Sequence, residues 1–131
     1  MEKEYKMKKI ISTPNAPKAI GPYSQAILHN NTLYCSGQIA LNPKTNELIT
    51  DNVKNETKQI MKNIHEILKE VNMDFKNIVK CSIFLKNMND YNDVNEVYGS
   101  YFDSQPPARE AVQVSVLPKN VNIEISAIAC L

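Results

Sequence analysis

Arg109, in the stretch "PPAREAVQVSVLPKN" from 106 to 120, is the single arginine among the fifteen Lys+Arg residues of this 131-residue chain. A guanidinium is planar, permanently charged and able to grip a carboxylate or phosphate through two parallel hydrogen bonds, which an ammonium cannot do. Where lysine supplies every other cation, the one arginine is a candidate ligand clamp. Other residues also stand out from their surroundings: Glu124 in the middle of an alternating strand pattern, Ser36 ahead of Gly37 in another, Tyr23 after "IGP", and Asn95 within an apolar helix stripe. Each has a plain structural reading, as a surface ion pair, a solvated carboxylate, a bulge, a packing ring or a satisfied core amide. Taken together they suggest chemistry on one small ligand, with the arginine as its candidate grip.

Composition narrows the classes. With 43% hydrophobic residues, 22% charged residues and a formal net charge of +1, the chain fits one globular domain with a substantial core. It carries no basic stripe of the kind that grips a phosphate backbone. There is no apolar run of membrane-spanning length and no secretory signal pattern. Cys35, Cys81 and Cys130 are odd in number and lack metal-ligand spacing, so they read as buried thiols of a reducing compartment, consistent with a cytoplasmic protein, while the lysine-bearing amino terminus leaves organellar import open. His29 and His65 are isolated from each other and from any ligand cluster.

The elements that must position these residues follow from periodicity. "KKIIST" reads as a short first strand, and "NAPKAIGPYS" as a loop with fixed corners. "SQAILHNNTLYCSGQIA" reads as a hairpin around "HNN", where asparagine tolerates left-handed angles; Asn46 in "NPKTNE" suits the same conformation. Val53, Ile60, Ile64, Ile67, Leu68 and Val71 recur at helical steps between 51 and 72. "NIVKCSIFLK" alternates as a strand, setting Val79, Cys81, Ile83 and Leu85 against Lys80, Ser82, Phe84 and Lys86. Asp90 is placed to cap a second helix with the stripe Tyr91, Val94, Tyr98, Tyr101 and Phe102.

"REAVQVSVL" and "VNIEISAIAC" read as a closing hairpin. In that register Gln113 opposes Glu124, and Arg109 begins the same polar face, level with Ile128. Arg109 and Glu124 would then be about 13 Å apart along the strands. A single ligand could join them only by side-chain reach or from neighbouring subunits. The expected order is β, ββ, α, β, α, ββ: an α+β domain with two helices on one face of a mixed sheet. The other face, polar but poor in lysine, is expected to be covered by oligomerisation.

Five motifs in order, "IGPYSQA" (20–26), "SGQIALNPKT" (36–45), "VNEVYGSYF" (94–102), "PPAR" (106–109) and "LPKNVNIEISAIA" (117–129), resemble the RidA/YjgF family, formerly labelled endoribonuclease L-PSP. The resemblance runs from about Ile10 to Ala129 and leaves residues 1–8 as an amino-terminal extension of a single domain spanning 9–131. It implies a chorismate-mutase-like fold assembled as a homotrimeric barrel with sites between subunits. The implied activity is hydrolysis of small 2-imino acids to 2-oxo acids and ammonia, without metal or organic cofactor. Carried over by motif, Arg109, Glu124 and Tyr23 are the implied catalytic residues, and Arg109, Ser36, Gly37 and Asn95 contact the substrate.

The sequence departs from that pattern at Ala111, where many members have cysteine, and at Glu110, where a small residue is common. Ser126 stands in place of a frequent glutamate, and Asn46 in place of a frequent turn glycine. Two other functions compete with the deaminase: a non-catalytic regulatory trimer that binds small molecules, and the ribonuclease of the older label. Near-neutral charge and the lack of a histidine pair count against the ribonuclease and make nucleic acid an unfavoured partner.

Overall fold

The structure, a computed structural model, describes residues 7–131; the first six residues of the proposed extension lie outside the described residues. Strands β1 (Lys9–Ile11), β2 (Ala26–His29) and β3 (Thr32–Gln38) precede helix α1 (Val53–Lys69). Then come β4 (Ile78–Leu85), α2 (Tyr91–Gly99), β5 (Ala108–Gln113) and β6 (Ile123–Cys130). The β2–β3 hairpin turns on Asn30 and Asn31, both at positive φ, and Asn46 also takes positive φ, as its turn position requires.

Helix α1 begins where the Asn52 side chain accepts a hydrogen bond from the Asn55 amide at 2.8 Å, satisfying a donor the helix cannot. Its inward face buries Ile60, Met61, Ile64, Ile67 and Leu68 completely. Each such side chain stabilises the fold by roughly 1.5–3 kcal/mol. Against them pack Leu33 and Cys35 of β3, Cys81, Ile83 and Leu85 of β4, and the odd-numbered residues Ile123 to Ala129 of β6. Burial pushes the Cys35 thiol up to about 12, with Cys81 adding to the effect, so this thiol is a small core hydrophobe. All three cysteines are free.

Two details of the elements differ from the sequence reading. Asp90 occupies the position before α2 but makes no side-chain cap. A 3-10 turn at Met88–Asp90 leads directly into the helix, and Asn87 caps that turn by accepting from the Asn89 amide at 2.9 Å. Val79 is 48% exposed instead of joining the core row. A register shift between Ile78 and Lys80 inserts one residue there, so Ile78 takes the inward place and Val79 turns out.

The larger correction concerns the closing hairpin, which does not form. The sheet order is β1-β2-β3-β6-β4-β5, with β5 parallel to β4 at the edge and β6 antiparallel between β3 and β4. A β5–β6 hairpin would leave the facing edges of β3 and β4 unpaired beneath the helices, where buried amides and carbonyls have no water to bond. Insertion of β6 satisfies both edges. Burial agrees, since β6 alternates strictly between buried and half-buried while β5 has no buried residue.

Candidate functional site

The corrected topology moves Arg109 to the other side of the sheet. It pairs with Cys81 of β4, which pairs with Ala127 of β6, and that row is the buried, helix-covered one. Glu124 instead shares a row with Phe84, which pairs with Val112, on the uncovered face. The expectation that Arg109 begins the Glu124 face is therefore overturned, because parallel pairing to β4 sets a different register from the hairpin. The candidate residues fall into two groups on opposite faces.

The first group is built by α2. Tyr91, Asn95 and Tyr98 stand at i, i+4 and i+7, one face of a helix, and that face meets Arg109. Arg109 Nη1 donates to Asn95 Oδ1 at 2.7 Å and Nη2 donates to Tyr91 Oη at 2.9 Å. Its Cζ lies 5.5 Å from the Tyr91 ring centre and 5.2 Å from that of Tyr98, within cation–π range. Every one of these partners is neutral. Among the described residues no carboxylate lies within ion-pair distance of Arg109. Glu110 points the other way, as alternation requires. It accepts from the Ser82 hydroxyl and pairs with Lys80 at 3.1 Å, contacts that hold its carboxyl below the usual range. Arg109 is thus oriented by amide and aromatic groups while its charge stays unmatched.

The polar groups beneath it are buried. The Tyr98 hydroxyl is buried with no hydrogen bond of acceptable geometry. Burial first, and then its weak interaction with the Cys81 thiol, raise its pKa far above that of a free tyrosine. Burial also raises Cys81, against smaller opposing effects of Tyr98 and Arg109. Neither group ionises near neutrality, so the guanidinium is not neutralised from below.

The second group lines a cavity of about 560 Å³ walled by Ile20, Tyr23, Ser36, Gly37, Ile39, Pro118, Lys119 and Glu124. Ser36 and Gly37 are a β-bulge: Cys35 pairs with Ala127 and Gln38 with Ile125, leaving these two residues opposite Ser126 alone. The Ser36 hydroxyl donates to the Ser24 carbonyl at 2.6 Å and its amide donates to the Gln25 carbonyl at 2.9 Å. Those bonds tie the 20–26 loop to β3 and set Tyr23, 51% exposed, at the cavity wall. The hydroxyl oxygen of Ser36 keeps its acceptor capacity.

Glu124 is half-buried, and desolvation raises its pKa above the ordinary glutamate value. Gly37 makes room for it: a Cβ at Gly37 would fall 2.0 Å from Glu124 Oε2 and 2.8 Å from its Cδ. Gly37→Ala is accordingly expected to swing the carboxylate away while leaving the sheet folded. Any activity that depends on Glu124 should fall by roughly tenfold or more for a displacement of about 1 Å, and circular dichroism should be unchanged. Full activity in Gly37→Ala would show that the Glu124 position is not critical.

Arg109 and Glu124 do not meet within one chain. They are two strand spacings apart and three residues offset, roughly 14 Å between backbones at standard sheet dimensions, and their side chains leave opposite faces. Sequence reasoning missed Tyr91 and Tyr98 as guanidinium supports, although their spacing from Asn95 was visible. It also missed Pro118 and Lys119 as cavity walls.

The family model described as Endoribonuclease L-PSP matches residues 13–131. This chain belongs to the endoribonuclease L-PSP family, also called RidA/YjgF. A human protein of the family, 2-iminobutanoate/2-iminopropanoate deaminase, is 50% identical over 123 residues, covering 94% of this chain and 90% of its own. A Lactococcus lactis protein named as a regulator, AldR, is 51% identical over 121 residues, covering 92% of this chain and 96% of its own. Among solved RidA/YjgF structures, the Yersinia pestis Rid-family protein YyfA superposes with a TM-score of 0.93 at 45% identity, covering 95% of this chain and all of its own. Escherichia coli TdcF with bound serine superposes with a TM-score of 0.90 at 37% identity, covering 94% and 98%. The six-stranded sheet with two helices is therefore the fold of the family. Among the described residues no helix is long and apolar enough to cross a membrane, and no group of metal-ligating side chains is assembled.

Proposed function

We propose that this protein is a 2-iminobutanoate/2-iminopropanoate deaminase, a cytoplasmic, cofactor-independent hydrolase acting on C=N bonds. Its site would form between subunits of a homotrimer. The observation that carries the reading is Arg109: a guanidinium pre-oriented by Asn95, Tyr91 and Tyr98, with no carboxylate of its own among the described residues. A 2-imino acid supplies that carboxylate. The placement of Glu124 on the opposite face supports assembly, because only a second copy can bring a Glu124 cavity to an Arg109 group. The deaminase name of the human relative supports the reaction, and the serine bound to TdcF is a carboxylate ligand of similar size.

In the proposed reaction Arg109 binds the substrate carboxylate bidentately and fixes the C2 carbon. As the water oxygen attacks C2, Glu124 takes a proton from it and passes that proton to the imine nitrogen, giving the neutral carbinolamine. Glu124 then moves the carbinolamine hydroxyl proton to the amino nitrogen as the C–N bond breaks, so that ammonia and the 2-oxo acid leave and the carboxylate is restored. Tyr23 walls the pocket and offers a hydroxyl, while Ser36 and the backbone at Gly37 accept or donate hydrogen bonds to the substrate. Water and imine enter; oxo acid and ammonia leave, so no redox partner is needed.

The test couples a threonine dehydratase to semicarbazide trapping of 2-iminobutanoate. The protein should suppress semicarbazone formation in proportion to its concentration, and trapping left unchanged would sink the reading. The naming of AldR as a regulator supports one alternative, a binding protein without turnover. That alternative predicts saturable 2-oxobutanoate binding with no suppression of trapping.

A further inference from the structure

Glu56, on the first turns of α1, is fully buried, and among the described residues no cation lies within ion-pair distance of it. A buried carboxylate is tolerated only when its oxygens are hydrogen-bonded. Here one residue satisfies both: Asn122 donates its backbone N–H to Glu56 Oε2 at 2.9 Å and its side-chain Nδ2 to Oε1 at 2.8 Å. The Asn122 carbonyl in turn accepts from the Lys86 amide at 2.9 Å. Asn122 is therefore held at three points, and it ends a short arch that begins at the buried Leu117.

The crown of that arch is Pro118, Lys119 and Asn120, all exposed, with φ of 55° at Lys119 and 56° at Asn120. Consecutive left-handed conformations are unfavourable for residues with a Cβ, and they persist only when the surroundings over-determine them. Pro118 and Lys119 also form the wall of the Glu124 cavity. Glu56 of α1 is thus linked through Asn122 to the arch that walls a cavity Glu56 does not itself line.

We propose that Glu56 is a positioning residue, which clamps Asn122 and thereby holds Pro118 and Lys119 as a fixed wall over Glu124. The functional half of this proposal rests on the deaminase reading; the structural half does not. Glutamine at position 56 can replace the clamp, since its side-chain oxygen would accept the Asn122 amide while its side-chain nitrogen donates to a flipped Asn122 Oδ1. Leucine cannot, and it leaves both Asn122 donors without their partner at a part-buried place.

The test compares wild type, Glu56→Leu, Glu56→Gln and Asn122→Ala, the last as a milder variant that keeps the backbone bond should Glu56→Leu not fold. Amide hydrogen exchange of residues 119–122 should accelerate at least tenfold in Glu56→Leu, less in Asn122→Ala, and stay near wild type in Glu56→Gln, with the core of α1 unchanged; tenfold is about the loss of one locked contact. Well below the melting transition, kcat/KM should fall roughly tenfold in Glu56→Leu and stay within about twofold in Glu56→Gln. Unchanged exchange at the arch in Glu56→Leu, or a loosened arch with full activity, would overturn the proposal. If exchange behaves as expected but wild type hydrolyses no imino acid, the deaminase reading falls and the clamp stands.

Discussion

Arg109→Ala is expected to lower kcat/KM for 2-iminobutanoate by roughly 100-fold or more, the scale set by losing a two-point clamp that fixes the reacting carbon. Arg109→Lys should do nearly as badly. The native guanidinium spans Asn95 Oδ1 and Tyr91 Oη with separate nitrogens, at 2.7 and 2.9 Å, and lies within cation–π range of the Tyr91 and Tyr98 rings. An ammonium can neither bridge those acceptors nor present a planar fork to a carboxylate. The loss should fall mainly on KM if the clamp acts before chemistry, and on kcat as well if orientation matters in the transition state. Melting temperature decides whether the effect is local, because the partners are a half-exposed edge strand and a helix face already packed by Val94 and Tyr98. Near-wild-type kcat/KM in Arg109→Lys would mean that charge alone suffices and that the planar grip is incidental.

The second large effect is expected at Glu124. Glu124→Gln keeps the shape that Gly37 accommodates but removes the base, so kcat should fall by roughly 100- to 10,000-fold. Binding of 2-oxobutanoate should be little changed. The pH dependence follows from burial. Desolvation raises the Glu124 pKa, so the acid limb of the rate profile should lie above the ordinary glutamate range, with activity rising as pH rises through it. Stability moves in the opposite sense: the folded state holds this proton more tightly than the unfolded chain, so ionising Glu124 weakens the fold as pH rises. Glu124→Gln removes that penalty and should melt at the same temperature as wild type or higher near neutral pH. A variant that loses activity and also melts well below wild type would assign Glu124 a structural role instead. If Glu124→Gln binds 2-oxobutanoate normally and wild type shows no turnover, the regulatory reading gains.

Much of this molecule was already legible in its sequence. Helical spacing from Val53 to Leu68 identified α1 and its buried face, and asparagines at 30, 31 and 46 marked turns that take positive φ. Motif order identified the family, and residue type alone singled out Arg109. Such signals are local: a period of 3.6 or 2, a turn residue or a lone guanidinium is set by neighbours a few positions away.

Strand partnership is not a local property, and it emerges from the assembled sheet. Alternation in "REAVQVSVL" and "VNIEISAIAC" marks two strands and separates their faces, yet it is equally compatible with pairing to each other or to β3 and β4. What selects β6 as the central strand is the need to pair two edges buried beneath the helices, a condition that involves residues far away in the chain. That choice puts Arg109 under α2 and Glu124 on the opposite face. The Glu56–Asn122 clamp is likewise invisible to periodicity, since its members are 66 residues apart and neither breaks a local pattern. Residue type and motif order singled out the candidates; the sheet order, set by long-range hydrogen-bond satisfaction, settled which of them stand together.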